Sequence, residues 1–184
     1  MISALLVLLL HGDGVSSSRI EIAGRDAVVT FTLSMEDLAE LARLDLDRNG
    51  TVDPGEWSQV LPGIFAYLGD RFRIDGCRSE GDPGLLPPAI PLKDRRSAVT
   101  LRMRYVSSRP LDRLHLRCTL FQEHDGAPRH VAELPDGKVL VFDRERPERD
   151  VLPTDRTPAA TFWVVGAIVA AAAISRFARS AAGA

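Results

Sequence analysis

The sequence predicts a mainly β protein: a small immunoglobulin-like β-sandwich with an inserted EF-hand-like helix–loop–helix, plus a single C-terminal transmembrane helix. Three observations lead to this prediction. Apolar and polar residues alternate in several short stretches, which is typical of strands with one buried face. Residues 34–69 instead show apolar residues at helical spacing on both sides of an acidic loop. Residues 159–175 are apolar and uncharged.

Composition supports a folded domain and excludes one class of function. Of the 184 residues, 45% are hydrophobic and 26% are charged, which is a globular composition. The formal net charge is only -2, and the Arg residues are interleaved with acids. Because nucleic-acid affinity depends on clustered Lys and Arg, we expect no nucleic-acid partner.

The N-terminus predicts export. The apolar run at residues 4–10 has the length of a signal-peptide core and is too short to span a bilayer. We therefore interpret residues 1–15 as a signal peptide. An apolar first strand is the alternative, because no Lys or Arg precedes the run and no A-x-A cleavage site follows it.

The domain begins with a predicted hairpin and a helix. In "SRIEIAGRDAVVTFTLS", alternating apolar residues place two strands on either side of a Gly-Arg-Asp turn. The inward residues are Ile20, Ile22, Val29, Phe31 and Leu33. Ser34 with Asp37 three residues later is an N-cap signature, and it opens the helical stretch "MEDLAELARL".

The next segment, "LDLDRNGTVDPGEW", contains the spacing of an EF-hand calcium loop over residues 45–56, D-x-[DN]-x-[DN]-G-x5-E. Oxygens at these positions suit a hard cation, and Gly50 permits the sharp turn. The predicted Ca²⁺ ligands are Asp45, Asp47, Asn49, Thr51, Asp53 and Glu56. The alternative is a solvated turn between two helices. No second loop of this pattern occurs, which predicts weak affinity, about 10⁻⁴ to 10⁻³ M.

The exiting helix follows directly. Pro54 suits a first turn, and Pro62 predicts a kink. Its apolar face comprises Trp57, Val60, Leu61, Ile64, Phe65 and Leu68. Val52, at the eighth loop position, is expected to anchor the loop to the core.

The second half of the domain predicts further strands. "AVTLRMRYV" and "DRLHLRCTLF" alternate cleanly, and "RHVAELPDGKVLVFD" reads as a hairpin around Pro135, Asp136 and Gly137. The Pro- and Gly-rich residues 78–96 are expected to form a long loop. Residues 16–145 then form an extracytoplasmic β domain, and residues 146–158 a charged linker.

The C-terminus predicts a membrane anchor at residues 159–175. Trp163 lies near its outer end, and Arg176 and Arg179 follow it, which places residues 176–184 in the cytoplasm. The protein is thus expected in the cell membrane, with most of the chain outside the cytoplasm. A buried or surface helix is the alternative, since the run covers only about 25 Å.

Two other residue groups bear on chemistry. Cys77 and Cys118 could form a disulfide or remain free thiols. His124, Asp125 and His130 could bind nickel or zinc, although such loops are more often solvated turns. No recognised catalytic motif appears, so we expect no enzymatic activity.

Residues 16–142 resemble the extracytoplasmic N-terminal region of proteins related to the HupE/UreJ hydrogenase and urease accessory permeases. The order of "SSSRIEI", "VVTFTLSMEDLAEL", "LDLDRNGTVDPGEW", "VTLRMRYV", "LHLRCTLF" and "RHVAEL" carries this resemblance. It implies an exported β domain with one EF-hand-like insertion. The chain departs from the family after that domain, because a single apolar segment stands where several membrane helices would carry metal.

Two functions are therefore expected as alternatives. The first is a membrane-anchored extracytoplasmic calcium-binding module with a structural or interaction role and no catalysis. The second is a metal-transport accessory protein that presents a transition metal or a partner to a separate permease. The predicted partners are the membrane, through the single-pass anchor, and a candidate membrane protein.

Overall fold

The computed structural model describes residues 15–82, 86–94, 97–122 and 129–151. These residues form a mainly β fold with three sheets and two helices. The predicted signal peptide (apart from Val15), the anchor at 159–175 and the tail at 176–184 lie outside them. Within the described part of the chain, no helix is long and apolar enough to cross a membrane.

The largest sheet has six strands in the order β10-β9-β1-β2-β7-β5. These are β1 (Val15–Ala23), β2 (Asp26–Ser34), β5 (Cys77–Gly81), β7 (Ala98–Ser107), β9 (Arg129–Glu133) and β10 (Val139–Phe142). The predicted β1–β2 and β9–β10 hairpins are confirmed as antiparallel pairs. One pair is parallel: β1 lies beside β9, with Ser16 opposite His130.

The remaining strands form two smaller sheets. The order β11-β8-β4 forms the second sheet, with β4 (Phe72–Ile74), β8 (Leu114–Cys118) and β11 (Glu148–Val151). The third sheet pairs β3 (Thr51–Val52) with β6 (Ile90–Pro91).

Both helices belong to the insertion. Helix α1 (Met35–Leu41) begins at the predicted N-cap, where Ser34 and Asp37 form a capping box. Helix α2 (Pro54–Arg71) begins with Pro54 in its first turn, as predicted. It continues through Pro62 and runs directly into β4.

One continuous apolar core contains residues of the six-stranded sheet, the three-stranded sheet and both helices, and Phe72 of β4 belongs to it. The Phe72 ring meets Phe31 edge-on with centroids 5.3 Å apart, and it also contacts Tyr105, His130 and Phe142. The Tyr105 hydroxyl donates a hydrogen bond of 2.9 Å to the Phe72 carbonyl. One aromatic cluster thus joins residues of the two sheets.

Two expected loops contain strands. Residues 148–151, inside the predicted linker at 146–158, form β11, which pairs with β8 and buries Val151 in the core. The expected loop at residues 78–96 likewise contains most of β5 and all of β6. These three strands were missed because they are short and carry charged residues or a proline in place of alternating apolar residues.

The two cysteines are free thiols, so the disulfide alternative is wrong. Cys77 lies opposite Ser107 in the six-stranded sheet, whereas Cys118 lies opposite Phe72 in the three-stranded sheet. Cys118 is buried, and burial raises the pKa of its thiol to about 12. It therefore behaves as a small apolar core residue.

Candidate metal centre

The acidic loop, residues 45–56, connects the two helices and is anchored to the core at both ends. Leu44 precedes it with 2% of its surface exposed, and Val52 near its end is fully buried, as predicted. Asp53 is the N-cap of α2, so the loop passes directly into that helix. Its backbone path is therefore set by core packing on either side.

Three of the predicted ligands converge. One carboxylate oxygen from each of Asp45, Asp47 and Glu56 lies within 4.8 Å of the other two. We call these three residues the carboxylate triad. Asp47 is exposed and Asp45 half-buried, whereas Glu56 has only 5% of its surface exposed. The triad therefore opens to solvent on one side and rests on the core on the other.

Backbone donors hold the Asp45 carboxylate. The amide of Gly50 donates to its Oδ2 over 2.9 Å, and the amide of Asn49 donates to its Oδ1 over 3.1 Å. Partial desolvation acts to raise the pKa of Asp45, but hydrogen bonds from Gly50, Arg48 and Asn49 outweigh it. The net result is a lowered pKa, which favours the ionised carboxylate that a cation requires.

The Glu56 carboxylate is drawn back toward the start of the loop. Its Oε1 accepts hydrogen bonds from the amides of Leu46, at 2.6 Å, and Asp47, at 3.2 Å. Its Oε2 accepts one from the amide of Asp53, at 3.0 Å, which completes the capping box of α2. These bonds bring the last residue of the loop to the first ligands.

The other three predicted ligands have different positions. The Asp53 carboxylate is not one of the triad, because its Oδ1 caps α2 by accepting the Glu56 amide at 2.9 Å. The Asn49 side chain donates to Asp47 Oδ2 at 2.9 Å and accepts from the Thr51 amide at 2.8 Å. Asn49 thereby orients a triad carboxylate.

The tight curvature of the loop depends on two residues in the left-handed region. Gly50 has φ of 83°, as its position in the motif predicts, and Arg48 has φ of 66°. A Cβ at position 50 would meet no atom within 4 Å, so the glycine is needed for its backbone conformation and not for space.

The triad could hold a metal ion. All its donors are carboxylate oxygens, which are hard ligands and suit Ca²⁺, Mg²⁺ or Mn²⁺ better than softer metals. Oxygens at about 2.3–2.6 Å from one Ca²⁺ can lie up to about 5 Å apart. The observed limit of 4.8 Å between triad oxygens fits that span. No other such group of His, Cys, Asp and Glu occurs among the described residues.

A segment outside the loop is hydrogen-bonded to it, which the sequence analysis did not predict. Strand β3 of the loop pairs with β6, so that Thr51 lies opposite Pro91 and Val52 opposite Ile90. The amide of Leu92 also donates to the Gly50 carbonyl over 2.9 Å. In paired EF-hands, a second loop makes this short β-bridge. Here the Pro-rich residues 86–92, which we call the partner segment, supply the strand.

The other suggested metal site contains one described residue, His130, which lies in the core with 2% of its surface exposed. Its Nδ1 hydrogen-bonds to the Ser16 hydroxyl at 2.9 Å and its Nε2 to the Ser18 hydroxyl at 2.8 Å. With both ring nitrogens engaged, His130 offers no ligand to a surface metal. His124 and Asp125 lie outside the described residues.

No protein-family model matches the chain, and no curated protein matches it in sequence. The geometry of the loop therefore carries the functional argument.

Proposed function

We propose that the acidic loop binds Ca²⁺ and that the protein is a calcium-binding module with a structural or interaction role and no catalytic activity. The convergence of Asp45, Asp47 and Glu56 within 4.8 Å is the observation that supports it. The sequence motif adds Asn49, the Thr51 carbonyl and Asp53 to the ligand set, either directly or through water. Calcium suits this site because it accepts six to eight oxygens in flexible geometry.

The negative charge of the triad supports the binding of a divalent cation. Three carboxylates this close repel one another, and one Ca²⁺ would relieve that repulsion. In the described part of the chain, no Lys or Arg forms an ion pair with any of the three. The anchoring of the loop by Leu44 and Val52 then couples calcium binding to the stability of the domain.

We further propose that the domain is an exported, membrane-anchored sandwich of the immunoglobulin type, related to the extracytoplasmic domains of HupE/UreJ-like permeases. The apolar termini and the arginines after residue 175 support the topology. The ring contacts of Phe72 in the three-stranded sheet with Phe31 and Tyr105 in the six-stranded sheet support the sandwich. Protease added to intact spheroplasts should digest the β domain, and its protection would contradict the topology.

Calorimetric titration and thermal melts test calcium binding. The wild-type protein should bind one Ca²⁺, and at free calcium of about 100 times Kd it should gain about 2.7 kcal/mol of stability. Glu56→Gln should abolish most of this gain, because the bidentate carboxylate is lost while the side-chain shape is kept. Asp45→Asn should weaken it similarly.

Glu145→Gln is the matched control, since it makes the same change at an exposed residue outside the loop. It should bind calcium like the wild type. Titrations with Mg²⁺ and Zn²⁺ identify the preferred metal. If the wild-type protein binds no Ca²⁺ up to about 10 mM, above the weak-module range, the proposal is wrong.

A further inference from the structure

We infer that the partner segment, residues 86–92, sets the calcium affinity of the acidic loop, and that calcium in turn controls the docking of this segment. The inference rests on the proposed calcium binding. It assigns to a Pro-rich stretch the positioning role that a second loop has in paired EF-hands.

The first observation is where the segment attaches. Its β6 strand pairs with Thr51 and Val52, and the Leu92 amide bonds to the Gly50 carbonyl at 2.9 Å. Gly50, Thr51 and Val52 occupy the sixth to eighth positions of the loop motif, where the chain turns around the ion. The segment therefore fixes the backbone that carries the predicted carbonyl ligand, Thr51.

The second observation is an independent bond at the other end of the loop. The indole Nε1 of Trp57 donates to the Pro88 carbonyl over 3.1 Å. Trp57 is fully buried and follows Glu56 directly, so the segment also contacts the residue next to the last predicted ligand. Ile90, with 8% of its surface exposed, fixes the segment to the core between these two attachments.

These attachments couple the segment to the ion. A two-residue bridge is too short to be stable alone, so its docking depends on the conformation of the loop backbone. Repulsion within the triad favours loosening of that backbone, and a bound cation opposes it. This coupling is the same in both directions. If bound calcium favours docking of the segment by some factor, docking raises the affinity for calcium by the same factor.

The composition of the segment suits such a role. Prolines at positions 87, 88 and 91 restrict the undocked chain and so reduce the entropy lost on docking. Pro91 has no amide to donate, which is tolerated because β6 has only one neighbouring strand. The bridge therefore depends on the few remaining bonds, and each can be removed by a single substitution.

Calcium titration of two variants tests the inference. Leu92→Pro removes the amide that bonds to Gly50, and Trp57→Phe removes the indole N–H while keeping a buried ring. Each should raise the Kd for Ca²⁺ about threefold to tenfold, the range expected for one lost hydrogen bond. Leu92→Ala keeps the amide and should raise it less than Leu92→Pro does.

Leu116→Ala in β8 is the control for a purely structural effect. It removes a fully buried side chain from a strand that belongs to another sheet. It should lower the melting midpoint and leave the calcium Kd unchanged. If Leu92→Pro and Trp57→Phe also lower the midpoint without changing the Kd, the segment is only structural and the inference is overturned.

Hydrogen exchange gives a second readout on the full chain. With calcium, amides in peptides covering residues 86–94 should exchange about tenfold more slowly, and Glu56→Gln should lose this difference. Calcium binding with unchanged exchange would overturn the inference and leave the proposed function standing. Absence of calcium binding to the wild-type protein would overturn the proposed function, and the inference with it.

Discussion

At the residue scale, individual side chains in the loop serve both the fold and the triad. Glu56 caps α2 and also accepts the amides of Leu46 and Asp47, so one carboxylate joins the start of the helix to the start of the loop. Asn49 orients Asp47 in the same way. The triad carboxylates are thus positioned by main-chain bonds, which would lower the ordering needed to hold a cation.

The buried His130 predicts a pH dependence of stability. Burial lowers its pKa from 6.5 to about 3 in the folded protein, so the folded state keeps a neutral ring where the unfolded chain takes up a proton. Above pH 6.5 the ring is neutral in both states, so the lowered pKa of His130 does not change the free energy of unfolding. As the pH falls from 6.5 toward 3, the residue should cost the folded state about 1.4 kcal/mol per pH unit.

His130→Gln tests this, because glutamine can hydrogen-bond to Ser16 and Ser18 but does not titrate. Between pH 6.5 and 5, denaturant melts should show the wild type losing about 2 kcal/mol more than the variant. His115→Gln is the contrast. A hydrogen bond to Asp150, reinforced by Asp75 and Glu148, raises the pKa of that half-buried ring, so His115 stabilises the folded state at low pH and loses this effect as pH rises. Equal slopes for wild type and His130→Gln would contradict the prediction.

At the element scale, the sequence predicted the elements whose pattern is local. Strands with several alternating inward residues, such as β2 and β7, were predicted correctly. Helix α1 followed from its N-cap, and helix α2 followed from Pro54 and its apolar face. The missed strands lack such a pattern: β11 has one inward apolar residue, Val151, and β4 continues the apolar face of α2 without a break. Their pairing partners, not their own residues, make them strands.

The packing of α2 against β5 gives a prediction at this scale. Two glycines differ in their surroundings: a Cβ on Gly81 would lie 2.5 Å from the Phe65 ring, whereas a Cβ on Gly63 would meet nothing within 4 Å. Gly81→Ala should therefore destabilise by about 1–3 kcal/mol, because the ring must move. Gly63→Ala should instead stabilise by about 0.5–1 kcal/mol through helix propensity.

Urea melts of the two variants decide the matter. Gly81→Ala should lower the urea midpoint and Gly63→Ala should raise it. Because both add one methyl group, the difference reports on the surroundings of each glycine. A Gly81→Ala midpoint equal to or above that of the wild type would show that α2 does not pack closely on β5.

At the whole-molecule scale, the candidate metal centre is attached to the same core as the sheets. Leu44, Val52 and Trp57 around the loop form one continuous apolar cluster with the inner residues of both larger sheets. The sequence predicted the triad because its spacing is confined to twelve consecutive positions. It could not predict the partner segment, because the Trp57–Pro88 and Gly50–Leu92 bonds join residues far apart in the chain, and a single sequence carries no signal for such pairs.

This shared core predicts that the domain unfolds in one step and that calcium shifts all of it. Trp57 fluorescence reports on the insertion, and the β-sheet signal in circular dichroism reports on the strands. Because Trp57 packs in the cluster that also contains Phe31 and Tyr105, the two probes should give the same melting midpoint. At saturating calcium, both midpoints should rise together, by roughly 5–15 °C for about 2.7 kcal/mol of linkage.

Trp163→Phe removes the other tryptophan from the fluorescence signal and should leave both transitions unchanged. A fluorescence transition that precedes the loss of β structure, and alone responds to calcium, would show that the insertion folds independently of the sheets.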